Sequence, residues 1–197
     1  MHNHRIVRQA GPMLALLCSA AVTFSQSQLP QLKTLEIDAA QSQVQFTVDS
    51  TLHTVHGSFR LKPGSIQFNP RGGAVSGQLV VTAASGDSGN KSRDHKMSNE
   101  VLEEKKYPEI MFAPQQMKGT LAPEGPSQIQ LEGVMTLHGE AHPMTLDAKV
   151  EIRNSSLSAD TSFVVPYIQW GLKNPSALFL RVSDKVQMHI HIVGTIR

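Results

Sequence analysis

The chain has 197 residues, of which 18 are Lys or Arg and 16 are Asp or Glu, so its formal net charge is only +2. This small charge, without any run of Lys and Arg, excludes the basic surface by which nucleic-acid-binding proteins usually hold phosphates, so we expect no nucleic-acid partner. The single cysteine excludes a disulfide within the chain.

The first 25 residues predict a secretory signal peptide. Arg5 and Arg8 precede an uncharged stretch, 11–24, that is rich in Leu, Ala and Val. This stretch is shorter than the roughly 20 apolar residues of a membrane-spanning helix, and the polar run 25–28 follows it. We therefore expect a periplasmic or secreted protein with no transmembrane segment in its mature chain.

Removal of the signal peptide would leave a mature chain with balanced charge and no cysteine. A lipoprotein anchor at Cys18 is disfavoured because the preceding Leu17 is bulky where lipoprotein signals have a small residue. Loss of Arg5 and Arg8 would leave 16 basic and 16 acidic residues. The predicted organisation is a signal peptide at 1–25, a linker at 26–34 and one domain at 35–197, a size that suits a single hydrophobic core.

Short runs of alternating apolar and polar residues dominate the mature region. From Val44 to Val48 every second residue is apolar, which is the period of a half-buried strand. Turn signals such as Lys62-Pro63-Gly64 and Asn174-Pro175-Ser176 separate the runs. The predicted strands cover 44–48, 55–61, 66–68, 75–81, 110–112, 129–137, 144–152, 157–165, 178–182 and 186–193. Many short strands with such turns predict an antiparallel sandwich or barrel.

One segment, 98–108, has a helical rather than a strand pattern. Ser98 can cap its N-terminus, acidic residues follow in the first turns, and Lys105 and Lys106 come at the end, where they complement the helix dipole. Pro108 would end the segment. We therefore predict a short helix here.

A protease-like signature occurs at Gly86-Asp87-Ser88-Gly89, which matches the residues around the serine of chymotrypsin-like proteases. Asn90 replaces the next glycine, and nothing upstream supplies an obvious oriented base. We interpret the segment as a polar loop. The prediction is that the chain has no catalytic residues, is not an enzyme and binds no cofactor.

Histidine pairs are the other candidates for chemistry. His189 and His191 flank Ile190, so both imidazoles leave the same face of the last strand, opposite the core. His53 and His56 would lie on opposite faces of an extended segment. Two ligands do not make a metal site, and we predict none.

Five blocks of residues resemble, in order, the YceI-like family of exported polyisoprenoid-binding proteins. The blocks are Ile37-Asp38 with Ser42, Val44 and Phe46; His53 with Gly57-Ser58-Phe59; Arg93-Asp94 with Tyr107 to Phe112; Gly133 to Gly139 with Pro143 to Leu146; and Asp184 with Val186 and Met188. The chain departs from the family at Lys96 and Met97, where relatives commonly have histidine and leucine. The resemblance implies an all-β fold, a lipocalin-like antiparallel β-barrel of about eight strands with one short helix.

The resemblance also implies that the barrel shelters the tail of a polyisoprenoid, an isoprenoid quinone precursor or a similar long-chain lipid. Each buried methylene contributes about 0.8 kcal/mol, so ten would give roughly 8 kcal/mol before the costs of association. The side chains predicted to line the barrel are Phe46, Val48, Phe59, Leu79, Val81, Phe112, Met135, Leu137, Phe163, Val165 and Met188. Those predicted around a head group at the mouth are Arg93, Asp94, His95, Lys96 and Trp170.

The residues alone leave open whether the barrel is hollow. The same apolar side chains could fill it, as they do in small closed barrels, and the chain would then be an envelope stress or protein-interaction module. Such a module would bind its partner through its outer face or through 87–96. The charged residues of that segment could also form a solvated loop, in which Arg93 and Asp94 make local hydrogen bonds. The oligomeric state is open as well, and a homodimer is among the arrangements that the sequence allows.

Overall fold

The computed structural model of the protein describes residues 31–177 and 179–197. The predicted signal peptide, most of the predicted linker and Leu178 lie outside the described residues. The strands are β1 (Lys33–Ile37), β2 (Gln43–Asp49), β3 (Thr54–Phe59), β4 (Ser65–Phe68), β5 (Gly73–Gly77), β6 (Leu79–Thr82), β7 (Glu109–Lys118), β8 (Gly125–Leu137), β9 (Glu140–Arg153), β10 (Ser156–Val165) and β11 (Val186–Ile196).

All the paired strands are antiparallel, and they close into a barrel with eight strand positions. Three positions each hold two strands end to end, namely β1 with β2, β4 with β3, and β5 with β6. Strands β7 to β11 hold one position each. Closure comes from β11, which pairs with β10 on one edge and with both β1 and β2 on the other. The predicted lipocalin-like barrel is therefore confirmed.

Local interruptions separate the strands that share a position. Asp38 accepts hydrogen bonds from the backbone N–H groups of Ala40 and Gln41, at 3.0 and 3.1 Å, and so makes a turn between β1 and β2. Gly77 has φ +109°, and a Cβ there would lie 2.2 Å from the carbonyl oxygen of Ser65. The single strand predicted at 75–81 is consequently broken into β5 and β6, because only glycine fits this left-handed, crowded position.

The two ends of the barrel differ in how they are filled. One end, here called the floor, carries the turns at 69–72, 119–124 and 154–155. It is packed by fourteen buried side chains: Leu35, Ile37, Val44, Leu61, Phe68, Val75, Met117, Leu121, Ile129, Ala148, Val150, Ile152, Leu157 and Ile192. The chain enters and leaves the barrel at this end, where Thr34 and Arg197 exchange two backbone hydrogen bonds, at 2.9 and 2.8 Å.

The opposite end, here called the mouth end, carries the turn 50–53, the hairpin at 138–139 and two long connections, 83–108 and 166–185. The first connection holds helix α1 (Lys91–Lys96), which continues as a π-helical turn at Met97–Val101. Buried residues from both connections, including Val101, Leu102, Tyr167 and Leu172, form a second core cluster over this end.

The helix predicted at 98–108 is wrong in position. Asn90 caps α1 by accepting a hydrogen bond from the N–H of Arg93, at 3.1 Å, so the helix cap lies eight residues earlier than the predicted cap, Ser98. Ser98 lies inside the π-helical turn, and Glu103 adopts φ +48°, which ends the helical path before the lysines. The cap at Asn90 therefore determined the helix start, and Ser98 did not.

Two strand predictions also differ from the structure. Of the strand predicted at 178–182, the described residues 179–182 form a turn with isolated bridges, because Ala177 and Leu180 exchange backbone hydrogen bonds with each other, at 3.0 and 2.6 Å. Strand β1 was not among the predicted strands and begins at Lys33, inside the predicted linker. Its alternation is short, and its pairing with β4 and β11 is what makes it a strand.

Gly57 on β3 is required by close approach rather than by its backbone angles. A Cβ at this position would lie 2.3 Å from Cζ of Phe46 and 2.6 Å from the carbonyl oxygen of Asp87. Asp87 is held there by two backbone hydrogen bonds to Ser58, both 2.9 Å. The missing side chain lets the Phe46 ring lie across β3 inside the barrel.

We expect Gly57→Ala to lower the free energy of unfolding by about 1–3 kcal/mol, because an added methyl must displace a ring or a backbone segment in a packed interior. Equilibrium urea unfolding measures this change. Ser58→Ala, on the exposed face of the same strand, is the control and should change it little. Equal stability of the two variants would contradict the close approach.

Candidate ligand-binding site

A cavity of about 590 Å³ occupies the upper part of the barrel. Its lower boundary is formed by side chains of the floor cluster, among them Val44, Leu61 and Ile192. The Phe46 and Phe59 rings, with centroids 5.3 Å apart and tilted by 44°, form part of its wall. The barrel is thus solid at the floor and hollow above it.

The wall of the cavity contains all eleven side chains predicted to line the barrel. They are Phe46, Val48, Phe59, Leu79, Val81, Phe112, Met135, Leu137, Phe163, Val165 and Met188. They meet because alternate residues of each strand point inward and barrel closure brings the eight inward rows together. Their contact with a ligand stays a prediction.

Further wall residues were missed by the sequence reasoning. Leu131 and Ile190 follow the same alternation as predicted neighbours on their strands, and Leu146 follows the alternation of β9, so the strand pattern contained the signal for them. Tyr167 and Leu172 come from the connection between β10 and β11, where no periodic pattern marks them. Only the tertiary fold brings these two residues over the cavity.

Tyr167 holds that connection in place as part of the cavity wall. Its side chain is buried, and its hydroxyl donates a hydrogen bond to the carbonyl oxygen of Ser183, at 2.8 Å. Burial, assisted by the nearby negative charge of Asp184, raises the pKa of Tyr167 to about 12. The phenol is therefore neutral and remains a hydrogen-bond donor at physiological pH.

Polar side chains are concentrated where the cavity opens. They come from the turn between β2 and β3 and from the segment around α1, and they are Ser50, His53, Ser88, Asn90, Ser92, Arg93 and Lys96. Thr161, which also lines the cavity, donates its hydroxyl to the carbonyl oxygen of Asp147, at 2.8 Å. Apart from Asp160 and Thr161 on β10 and the Tyr167 hydroxyl, the cavity is apolar along its length, and it is polar at its mouth.

Ser88 organises the charged residues of the mouth. Its hydroxyl accepts a hydrogen bond from Nε of Arg93, at 2.7 Å, and its carbonyl oxygen accepts one from Nη2, also at 2.7 Å. Nη1 of Arg93 lies 3.5 Å from Nε2 of His53 on the neighbouring turn. The guanidinium is thereby fixed against the wall of the mouth.

Asp94 is the carboxylate partner of this network. Its Oδ1 accepts hydrogen bonds from the Ser88 N–H and hydroxyl, at 2.8 and 2.5 Å. Partial desolvation raises the pKa of Asp94, but these two hydrogen bonds, with the charges of Lys91 and Arg93, outweigh it and lower the pKa below the ordinary 3.8. The carboxylate is ionised at neutral pH and supports the loop from outside the cavity lining.

The predicted head-group residues are only partly brought together. Arg93 and Lys96 line the mouth, and Nζ of Lys96 donates a hydrogen bond to the carbonyl oxygen of Pro175, at 3.0 Å. Asp94 and His95 are not among the lining residues. Trp170 does not line the cavity either, because its indole stacks on the His142 ring, with centroids 3.9 Å apart and planes 4° apart.

The histidines of β11 lie outside the cavity lining. Nδ1 of His191 is 2.9 Å from Oδ1 of Asp160, and Nε2 of His189 is 3.7 Å from the same oxygen. Another histidine, His138, contacts Oε2 of Glu103 at 2.6 Å. Among residues 31–177 and 179–197, no three His, Cys, Asp or Glu side chains are grouped closely enough to hold a metal ion.

None of the helices in the described part of the chain is long and apolar enough to cross a membrane.

Comparison with known proteins gives consistent relatives. The model of the YceI-like domain family matches residues 35–194. A UPF0312 protein of Vibrio cholerae serotype O1 is 24% identical over 165 residues, which are 81% of this chain and 85% of the relative.

Solved structures show the same fold. Burkholderia cenocepacia BcnA is similar with a TM-score of 0.66 and 22% identity, over 81% of this chain and 99% of BcnA. A polyisoprenoid binding domain from Saccharophagus degradans, implicated in plant cell wall breakdown, is similar with a TM-score of 0.62 and 14% identity, over 83% of this chain and 98% of that domain.

We expect Ser88→Ala to raise the pKa of Asp94 towards its ordinary value, because the hydroxyl hydrogen bond to the carboxylate is lost. A lowered pKa in the folded state stabilises the fold above the ordinary pKa, and this stabilisation disappears as the pH falls through the folded-state value. Ser88→Ala should therefore have a lower free energy of unfolding than the wild type at neutral pH. The part of this loss that comes from the Asp94 hydrogen bond should vanish in acid.

Titration of the Asp94 carboxyl by NMR, together with urea unfolding at neutral and acidic pH, measures both effects. Ser92→Ala, on the helix that carries Asp94, is the matched control and should leave the Asp94 pKa unchanged. An unaltered Asp94 titration in Ser88→Ala would contradict the network described above.

Proposed function

We propose that this chain, which belongs to the YceI-like family, binds and carries a long apolar ligand, a polyisoprenoid or similar amphiphilic lipid, in the cavity of its barrel. The observation that carries the proposal is the cavity itself, about 590 Å³ of space with an apolar wall and a polar mouth. The Saccharophagus degradans relative, whose name states that it binds polyisoprenoids, supports the choice of ligand class.

The size of the cavity suits a chain rather than a few waters. Its 590 Å³ lies within the range of about 300–1,000 Å³ typical of small-molecule sites. At about 30 Å³ for a water-sized group, it has room for roughly twenty non-hydrogen atoms. A longer polyisoprenoid would leave its remaining units at the mouth.

The distribution of polarity gives the ligand one orientation. Burial of methylene groups is favourable along the wall, at about 0.8 kcal/mol each, and the packed floor closes the far end. Polar groups of the ligand are best placed at the mouth, where water and polar side chains are available. The tail therefore enters first, and its end lies above Val44 and Ile192.

Lys96 is the residue best placed to contact a head group. Its ammonium has three donors, and the carbonyl oxygen of Pro175 accepts one of them. Arg93 also lines the mouth but uses its Nε and Nη2 donors on Ser88. The two cations favour an anionic head group, such as a phosphate.

The alternative function, a stress or protein-interaction module with a filled barrel, has less support. A filled barrel would leave no cavity between the floor cluster and the mouth, whereas the space above Val44 is not occupied by side chains. The segment 87–96, which such a module would use for its partner, contributes five mouth residues to the cavity lining. Half of the segment is thus part of the mouth.

We also propose that the protein works in the bacterial cell envelope, either in the periplasm or as a secreted protein. The proposal rests on the signal peptide predicted at 1–25, with Arg5 and Arg8 before its apolar stretch. A lipid carrier is needed where apolar chains must cross an aqueous compartment between membranes.

Organic extraction of gently purified protein, followed by mass spectrometry, tests the proposal. We expect a long-chain lipid in near-stoichiometric amount. Repeated absence of any co-purifying lipid, with no binding of added geranylgeraniol, would overturn it.

We expect Ala159→Phe to shorten the cavity from its floor end. Ala159 lines the cavity beside the floor cluster, so a ring there would occupy the space of the tail end. Affinity for geranylgeraniol should fall by about tenfold or more, whereas affinity for the shorter geraniol should change less. Fluorescence displacement measures both ligands. Ala141→Phe, the same substitution at an exposed hairpin position, is the control. Equal losses for both alcohols would contradict the assigned tail position.

We expect Lys96→Gln to weaken binding of an anionic ligand selectively. Loss of a charge-assisted hydrogen bond worth about 1.4 kcal/mol corresponds to tenfold weaker binding. Geranylgeranyl diphosphate should show this loss and geranylgeraniol should not, because the two ligands have the same tail and only the first has an anionic head group. Isothermal titration calorimetry with both ligands measures the difference. The control is Lys91→Gln, an exposed position of the same helix that does not line the cavity. Unchanged diphosphate binding in Lys96→Gln would exclude Lys96 as the head-group contact.

A further inference from the structure

Two turns stand side by side at the mouth end of the barrel. The N–H of Thr51 donates to the carbonyl oxygen of Arg181, at 2.9 Å, and the N–H of Arg181 donates to the Thr51 hydroxyl, at 3.2 Å. An isolated bridge joins Ser50 to Val182. The turns therefore form one joined projection made of 50–53 and 179–182.

Each of these turns carries a large apolar side chain that faces solvent. Leu52 is 73% exposed and Phe179 is 92% exposed. Among the large apolar residues that the structure describes, only Leu32 and Val164 are also exposed, at 62% and 51%. When large apolar side chains are exposed next to each other, they usually mark a surface that another molecule covers.

The projection borders the cavity. Ser50, His53, Leu180 and Val182 line the cavity while Leu52 and Phe179 extend outward from the same turns. A ligand that leaves the mouth therefore passes directly beside the two apolar tips. The location links the exposed tips to the exchange of ligand rather than to barrel stability.

Cationic residues occur in the same part of the mouth end as the tips. Together, 50–53, 179–182 and helix α1 form what we call the mouth rim, which contains Lys91, Arg93, Lys96 and Arg181. Its one carboxylate, Asp94, accepts two hydrogen bonds from Ser88. The rim thus has four cationic side chains against one anionic side chain.

Two of the carboxylates that flank the rim accept hydrogen bonds. Asp49 accepts a hydrogen bond from the Thr54 hydroxyl, at 2.7 Å, and Asp87 accepts one from the N–H of Gly89, at 2.9 Å. These carboxylates, and Asp184 just beyond the second turn, keep their negative charge, so the positive excess is confined to the rim itself, which is the part of the surface that carries the apolar tips.

We propose that the mouth rim docks on a lipid bilayer that contains anionic phospholipids, with Leu52 and Phe179 inserted at the boundary between head groups and acyl chains. Apolar tips within a cationic surface are the combination by which proteins bind such interfaces reversibly. A stable protein partner would need roughly 800 Å² of contact surface on each side, which two isolated tips do not provide. The purpose of docking, ligand exchange, rests on the proposed function, but the docking itself does not.

Vesicle flotation of the purified full chain tests this inference. The probes are vesicles of phosphatidylcholine, with and without phosphatidylglycerol. We expect binding to the anionic vesicles, and the double variant Leu52→Ser/Phe179→Ser should lower the partition coefficient by about tenfold or more. Arg181→Gln should lower it by about fivefold on anionic vesicles only.

Val164→Ser is the matched control, because it removes an exposed apolar side chain from the outer barrel wall and should not change binding. Thermal unfolding followed by circular dichroism shows whether each variant keeps its fold. The inference would be overturned if the wild-type protein did not bind anionic vesicles. It would also be overturned if the folded double variant bound them as tightly as the wild type does. Loss of binding in Val164→Ser equal to that in the double variant would overturn it as well.

The outcomes separate this inference from the proposed function. A double variant that still contains lipid by extraction, yet no longer floats with vesicles, supports both. Vesicle binding that follows the rim substitutions in a protein that never contains lipid would support docking and overturn the carrier function.

Discussion

Strand β11 shares one of its edges between two strands, and the barrel depends on that arrangement. Its C-terminal residues pair with β1 and its N-terminal residues pair with β2. Main-chain N–H and C=O groups need partners, and an open edge would leave a row of them unpaired. Because β11 serves both strands, the first strand position can be interrupted at Asp38 without opening the barrel. The alternation of inward and outward side chains then continues around a closed wall.

Closure explains why the strand interior was predictable from the sequence. Once strands are paired in a ring, a side chain's direction follows from its odd or even position, as for Phe163 and Val165 on β10 or Met135 and Leu137 on β8. All eleven predicted lining side chains therefore lie on the cavity wall. Whether that wall encloses space could not be derived in the same way, because alternation gives direction but not the volume left between opposite walls.

The mouth was less predictable, because its geometry depends on capping and on contacts distant in sequence. Because Asn90 caps the helix, the helix begins earlier than predicted. This position places Arg93 and Lys96 on the mouth lining and His95 outside it. Trp170 was expected near a head group, but the sequence contains no sign that His142, 28 positions earlier in the chain, would stack on it. Local propensity decides little here, since side-chain hydrogen bonds and ring stacking between loops determine the arrangement.

The backbone pairing of Thr34 with Arg197 places the two ends of the domain at one end of the barrel. The first and last strands meet at the floor, and the opening lies at the opposite pole. Anything fused to either end of the domain, whether a tether, a fluorescent protein or a surface-attachment tag, is therefore held on the far side from the opening. A copy tethered through either end would have its opening on the side away from the anchoring surface. Because the two ends are neighbours, joining them would also allow circular permutation at exposed turns.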